Sequence, residues 1–455
     1  MSSQRISDAV REATDTAQVT IGEGVLHAAT AALFRESFGE RQAIVIADEN
    51  TFAAAGEVVE ECLQDTTGGT REPHVFGARP VLHAQSEPID ELAAALSEHD
   101  AIPVAVGSGT INDIVKRASH LAQRPYMCVV TAASVDGYTA FGASITKDGY
   151  KQTMECPAPH AVLADVSVLQ GAPAPMTSAG YADLLAKVSA GADWIVADAL
   201  EVEPIDDTAW SLVQGPLREA TFRPGELHGR NPGALEALIE GLIMSGLAMQ
   251  AAASSRPASG AEHQFSHLWE MEGLGEDPDG SEPPLSHGFK VGLGTLSSAA
   301  LYERLLARDL SALDVDAVAG AWPSWSETER DVRAADLPQG AKDAAIEQTR
   351  AKYVDADQLA TRVALVRERW PELTERLREQ LSAAAALRDQ LAAAGCPITP
   401  AEIGLSSERL RSTYRRARLI RSRYTVLDLA AETGLLDECV GELFSAGGFW
   451  SAAAG

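Results

Sequence analysis

Three short apolar runs, each closed by a small or polar residue, constrain the fold of this chain more than any other feature. Ala43-Ile-Val-Ile-Ala47 ends at Asp48, Ile102-Pro-Val-Ala-Val106 at Gly107, and Tyr126-Met-Cys-Val-Val130 at Thr131-Ala-Ala-Ser134. Runs without polar alternation read as strands buried on both faces. Helix-period stretches, Ile89 to Glu98 and Ile111 to Ala122, lie between them. Buried strands interleaved with helices predict a parallel sheet covered on both sides. Such sheets bind ligands at the carboxyl ends of their strands, where Asp48, Gly107 and the 131–134 segment stand.

The pattern stops at Gly171-Ala-Pro-Ala-Pro175. Beyond it, strand signals vanish and alanine-rich helical segments follow: Ala179 to Leu200, Gly233 to Ala253 and Ala360 to Ala394. The expectation is an α/β domain over residues 1–172 and an all-α domain over residues 173–455.

With 455 residues, 45% hydrophobic and 22% charged, the composition is that of an ordinary globular protein. A net charge of −28 argues against a general role in binding nucleic acid or anionic membrane. The seven arginines between Arg409 and Arg423 share their stretch with packing residues such as Leu410 and Leu419, so pairing with acidic neighbours is expected. Five scattered cysteines without a CxxC suggest reduced thiols. The N-terminus lacks an apolar signal core and no run of about twenty apolar residues is evident, so a cytoplasmic location is expected.

Three motifs carry chemistry. Gly107-Ser108-Gly109-Thr110 follows a strand and opens a helix, a geometry that brings backbone N–H groups to a pyrophosphate; a plain tight turn gives the same letters. Asp48 at a strand end suits an adenosine ribose, or caps the next helix. His263 and His267 stand four apart on one predicted helix face, with His287 at the start of another helix. Two imidazoles and a carboxylate make a site for zinc or a similar metal, and spacing alone lets both His263 and His267 ligate. Asp183, set in an apolar helical face, needs a cation: a metal, Lys187 one turn on, or an arginine. Asp136, before Gly137, reads as a turn residue or as a hydrogen-bonding group for a substrate hydroxyl.

Several strings resemble the sn-glycerol-1-phosphate dehydrogenases, bacterial AraM-like members included, of the iron-containing alcohol dehydrogenase and dehydroquinate synthase-like superfamily. They are Gly107-Ser-Gly-Thr-Ile-Asn-Asp, Thr131-Ala-Ala-Ser-Val-Asp, Ala179-Gly-Tyr-Ala-Asp183, Ser255-Arg-Pro-Ala-Ser-Gly-Ala-Glu-His263 and Ser286-His287-Gly. Thr399-Pro-Ala-Glu-Ile-Gly404 and Arg421-Ser-Arg-Tyr-Thr425 extend the resemblance toward the C-terminus. It implies a Rossmann-like first domain and a helical metal- and substrate-binding second one. It further implies NAD(P)H-dependent reduction of dihydroxyacetone phosphate to sn-glycerol 1-phosphate, reversibly, in a cytoplasmic enzyme of phospholipid metabolism.

By the same resemblance the metal ligands are Asp183, His263 and His287, the metal being zinc or nickel. His267 then lies beside the substrate, as a proton source alongside metal-bound water. Asp48, Gly107, Ser108, Gly109, Thr110, Asp113, Thr131 and Ser134 fall to the dinucleotide, with Asp48 favouring NAD over NADP. Asp136 falls to the substrate, and Lys187, Arg256 and Lys290 are candidate cations for its phosphate. A homodimer is expected from base rates. The wider superfamily often has His-Gly-Glu at the last ligand, whereas Phe289 follows Gly288 here, so any carboxylate behind that histidine must come from elsewhere. The acidic loop from Glu270 to Ser286 reads as a solvated insertion rather than a lid. Two other readings stay open: a sugar-phosphate cyclase that retains NAD, and a dehydrogenase of unphosphorylated polyols.

Overall fold

The computed structural model describes residues 2–66, 68–77, 79–147, 150–277 and 283–451. Its central sheet has six parallel strands: β1 (Gln18–Gly22), β2 (Ala43–Asp48), β3 (His74–Phe76), β4 (Ile102–Gly107), β5 (Met127–Val130) and, after the separate antiparallel hairpin of β6 (Ala143–Lys147) and β7 (Tyr150–Met154), β8 (Ala161–Asp165). The strand order is β1-β8-β5-β4-β2-β3. The chain steps from β2 outward to β3, then returns to place β4 on the other side of β2. The order therefore reverses between β2 and β4, and Asp48 and Gly107 end those two strands. That crevice is where a parallel sheet of this kind accepts a ligand.

Both sheet faces are covered, as the unbroken apolar runs require. Val45, Ala47, Val104, Val106 and Val129 pack with Leu33, Phe34, Val59 and Leu63 from helices Leu26–Phe38 and Glu57–Gln64. Ile44, Ile46, Ala105, Cys128 and Val130 meet helices Ser86–Ser97 and Gly109–Leu121, and this core runs on into the helical half. Fully burying each such aliphatic side chain is worth about 1.5–3 kcal/mol. The edge strands β1 and β3 escaped the sequence reading because β1 is only half-buried and β3 is three residues long.

From Val166 onward the described residues form helices and their connections. Pro232–Ala252 is long and apolar enough by length and composition to cross a membrane, yet 83% of its apolar window is buried inside the protein. Helix Ser2–Glu12 packs against this half as well, with Arg5 bound to Glu219 at 2.8 Å and Glu240 at 3.1 Å. Two expected long helices are broken. Ala179 to Leu200 belongs to Ala174–Leu185 and Lys187–Ala199, which meet at Ala186. Ala360 to Ala394 divides into Ala356–Gln380 and Ala384–Ala393, where Leu381 turns extended and the Ala384 N–H donates to Glu303 at 2.8 Å.

The arginine stretch pairs with acids at Arg409 (Glu272), Arg415 (Asp437), Arg416 (Glu272) and Arg418 (Asp428). Arg421 and Arg423 instead reach the histidine helix. Of the loop from Glu270 to Ser286, residues 278–282 lie outside the described residues.

The segment after β5 is held by a buried cation that the sequence did not advertise. The Lys116 ammonium donates to the carbonyls of Gly137 (3.0 Å), Ala140 (2.8 Å) and Gly142 (3.1 Å). Asn112 Nδ2 donates to Gly137 as well, at 3.2 Å. Lys116→Met would strip these carbonyls of their charged donor inside the protein. The expected loss is about 3 kcal/mol of stability, read as an earlier urea midpoint at unchanged slope.

Candidate metal and cofactor site

Asp183 lies on helix Ala174–Leu185 with no exposure to solvent. Two glycines let the surrounding backbones close on it. A Cβ at Gly180 would collide with the carbonyl of Ala133, and a Cβ at Gly288 with that of Ala179. The first approach seats the Asp183 helix against the segment after β5. The second brings helix His287–Leu306, and its first residue, against the Asp183 helix. Helix Ala261–Met271 supplies His263, and Gly294 allows the His287 helix to touch its backbone at Glu262.

The structure brings together Asp183, His263 and His287: one donor atom from each lies within 4.8 Å of the others. His263 Nε2 is 3.6 Å from Asp183 Oδ1. Each imidazole has a carboxylate behind it. His263 Nδ1 is 2.8 Å from Glu262 Oε1, and His287 Nδ1 is 2.7 Å from Glu270 Oε1. A carboxylate on Nδ1 fixes the ring and leaves Nε2 for a ligand. Two such nitrogens and a carboxylate on packed helices suit a divalent ion with a position open to substrate. Glu270 is the carboxylate that Phe289 left unaccounted for, and it stands in the last turn of the helix rather than in the loop. Glu262 is itself fixed by the Ser189 hydroxyl at 2.9 Å and the Gly260 N–H at 2.5 Å.

Lys187, wholly buried, donates to Asp183 Oδ1 at 2.9 Å and Asp136 Oδ2 at 2.8 Å. Burial alone would raise the Asp183 carboxyl, but Lys187 and the two imidazoles outweigh it and hold the group well below the usual carboxylate range. Burial likewise works against charging Lys187, and Asp136 and Asp183 overcome it, raising the ammonium. Asp136 accepts from Ser245 at 2.9 Å, and its backbone N–H donates to Asp183 Oδ2 at 3.2 Å. His267 lies beside Asp183, His263 and His287 but outside their donor cluster, its ring centroid 5.9 Å from those of His263 and His287. Burial and the neighbouring Arg421 push His267 well down, toward the neutral form.

Arg256 is buried and committed elsewhere. Its guanidinium donates to the carbonyls of Asp193 (2.7 Å) and Tyr424 (3.0 Å) and lies 3.4 Å from Glu203. Behind it, Asp193 accepts from the Tyr302 hydroxyl at 2.6 Å and the Val426 N–H at 2.7 Å; burial and Glu262 raise its carboxyl to about 7. Lys290 is buried on the His287 helix.

On the sheet side, Gly109 starts helix Gly109–Leu121 directly after β4, with Ser108 at the cap and Thr110 in the first turn. The first N–H groups of that helix have no intrahelical acceptor. A Cβ at Gly107 would collide with Ile111, and one at Gly109 would meet Val135 at 3.0 Å. Asp48 caps the next helix through Oδ1, accepting from the Thr51 N–H at 2.8 Å. Thr131 N–H donates to the Gly107 carbonyl at 3.1 Å, and the Ser134 hydroxyl pairs with Tyr138 at 3.1 Å. Asp113 Oδ2 accepts from the Ser144 N–H at 3.3 Å, tying the β6–β7 hairpin to this helix. Sequence reasoning missed Glu262, Glu270, Ser245, Lys116 and Arg421. Glu262 and Arg421 had a signal, since both stand within strings that carry the family resemblance.

The family described as iron-containing alcohol dehydrogenase matches residues 20–173. A glycerol-1-phosphate dehydrogenase (NAD(P)+) from Geobacillus stearothermophilus is 30% identical over 403 residues, covering 87% of this chain and 88% of that protein. Its namesake from Halalkalibacterium halodurans is 37% identical over 262 residues, and there the match spans 57% of this chain and 64% of the relative. Among solved structures, a probable glycerol dehydrogenase from Sinorhizobium meliloti 1021 superposes with a TM-score of 0.58 at 18% identity, over 94% of this chain and 98% of the other. Glycerol dehydrogenase from Schizosaccharomyces pombe gives 0.57 at 17%, over 94% and 90%. At such identity these structures speak for the fold alone. With the long Geobacillus match, the chain belongs to the iron-containing alcohol dehydrogenase family, among its members named glycerol-1-phosphate dehydrogenase.

Proposed function

We propose that this chain reduces dihydroxyacetone phosphate to sn-glycerol 1-phosphate with NAD(P)H and a divalent metal, zinc or nickel, and runs the reverse reaction. The observation that carries this reading is the cluster of buried Asp183 and His263 with half-buried His287, with a carboxylate behind each imidazole. A divalent ion bound there supplies a Lewis acid for the ketone oxygen, and a dinucleotide in the β2–β4 crevice supplies the hydride.

The protein's own groups do the rest. Lys187 sits between Asp183 and Asp136 and offsets the charge of the buried Asp183 carboxylate. Asp136, anchored by Ser245 and Lys187, takes a substrate hydroxyl. His267 stands beside the oxygen that gains charge. A phosphate role for Lys187 or Arg256 requires the substrate to displace the partners each already holds. Ser108, Thr110, Thr131 and Ser134 surround the crevice, with the N–H groups of the Gly107–Thr110 turn facing a pyrophosphate. Asp113 acts through the hairpin it holds. Asp48 keeps Oδ2 for a ribose hydroxyl while Oδ1 caps its helix. The five cysteines are free thiols, four of them buried, which fits a reducing cytoplasm. A homodimer remains the expected assembly.

Three measurements check this. Metal-stripped protein given NADH and dihydroxyacetone phosphate should oxidise one NADH per product only after zinc or nickel is restored; turnover without net cofactor consumption would mean a cyclase. Glu270→Leu should weaken metal binding by about 10–100-fold in a chelator competition, because His287 loses the acceptor that orients it. Asp48→Ala should raise kcat/KM for NADPH relative to NADH by about tenfold, since a carboxylate at that strand end repels the 2′-phosphate.

A further inference from the structure

The segment Arg421 to Thr425 lies across the start of the histidine helix and is tied to it at several points. Arg423 donates to the Ser259 carbonyl and the Ser255 hydroxyl, both at 2.8 Å. Gln264 donates to the Arg423 carbonyl at 3.2 Å and accepts from the Thr425 hydroxyl at 3.2 Å. Held in this frame, Arg421 Nη2 sits 3.2 Å from His267 Nδ1. A guanidinium has donors and no acceptor, so the contact is a hydrogen bond only when Nδ1 offers its lone pair. The ring proton is then on Nε2, an atom with no hydrogen-bond partner among the described residues.

We propose that Arg421 is a positioning residue that locks His267 as an Nε2–H donor to the substrate oxygen. The proposal rests on the reaction assigned above and changes one part of the sequence expectation. His267 stabilises the oxygen as the hydride reaches the adjacent carbon, by donating a hydrogen bond it keeps. The proton that completes the alcohol is the one the overall reduction takes from solvent. An arginine on the far nitrogen of the ring is the simplest way to keep its polarity from inverting.

The test uses zinc-loaded full-length protein labelled with 15N-histidine, with the His267 resonances identified by their loss in His267→Gln. Wild type should show His267 protonated at Nε2. Arg421→Met should mix the two tautomers, and Arg421→Lys, which restores a donor, should recover the wild-type signature. In turnover, Arg421→Met should lower kcat by about tenfold and leave KM for dihydroxyacetone phosphate within about twofold. An Nδ1–H tautomer in wild type, or an unchanged tautomer in Arg421→Met, overturns the proposal. So does a raised KM at unchanged kcat, which would make Arg421 a ligand of the substrate phosphate. If wild type fails to turn over dihydroxyacetone phosphate, the reaction assignment falls instead, and the spectra still decide the tautomer.

Discussion

A carboxylate with no access to water sits where the helices of this protein converge on the end of its sheet. An ionised Asp183 in that position costs several kcal/mol unless opposite charge and hydrogen bonds surround it. Lys187 one turn along the same chain supplies the charge, and the Asp136 N–H and His263 supply contacts. Lys187 then needs a second carboxylate, which Asp136 provides from the segment after β5. One buried charge thus fixes the position of a strand-end loop relative to two helices.

The same economy of space extends outward. The helices that carry Asp183, His263 and His287 approach one another to backbone contact at Gly288 and Gly294, and at Gly180 the Asp183 helix meets the segment after β5; any side chain there would force them apart. Glu262, behind His263, is itself held by Ser189 and Gly260, and Asp193, behind Arg256, by Tyr302 and the backbone of Val426. Through Asp193, Arg256 and Arg423, the Ser255–His263 string is clasped by residues near the C-terminus. Two strings that resemble the same family, far apart in the chain, are one structural unit in space.

Much of the frame was legible because burial writes itself into apolar runs. β2, β4 and β5 are continuous in apolar residues, and β2 and β4 end at Asp48 and Gly107 on either side of the crevice. That Asp183, His263 and His287 come together was foreshadowed by spacing and family likeness. What stayed hidden was direction and tertiary override. Nothing local says that Glu270 points to His287, or that Arg421 reaches a histidine 154 residues away. Alanines 383 to 386 favour helix by propensity, yet the chain turns extended at Leu381 and the next helix starts where the Ala384 N–H meets the Glu303 carboxylate. The cations proposed for phosphate illustrate the same limit. Lys187 read both as a partner for Asp183 and as a phosphate cation, and Arg256 read as a phosphate cation; in the fold each is held by buried partners.

The central claim is that Asp183, His263 and His287 together hold one divalent ion. X-ray absorption on zinc-loaded protein tests it most directly. The account predicts one zinc per chain with two imidazole nitrogens and one carboxylate oxygen at about 2.0–2.2 Å, beside an exchangeable light atom, and loss of that shell in Asp183→Ala. A third imidazole in the shell, a sulfur ligand, or an unchanged shell in Asp183→Ala would contradict it.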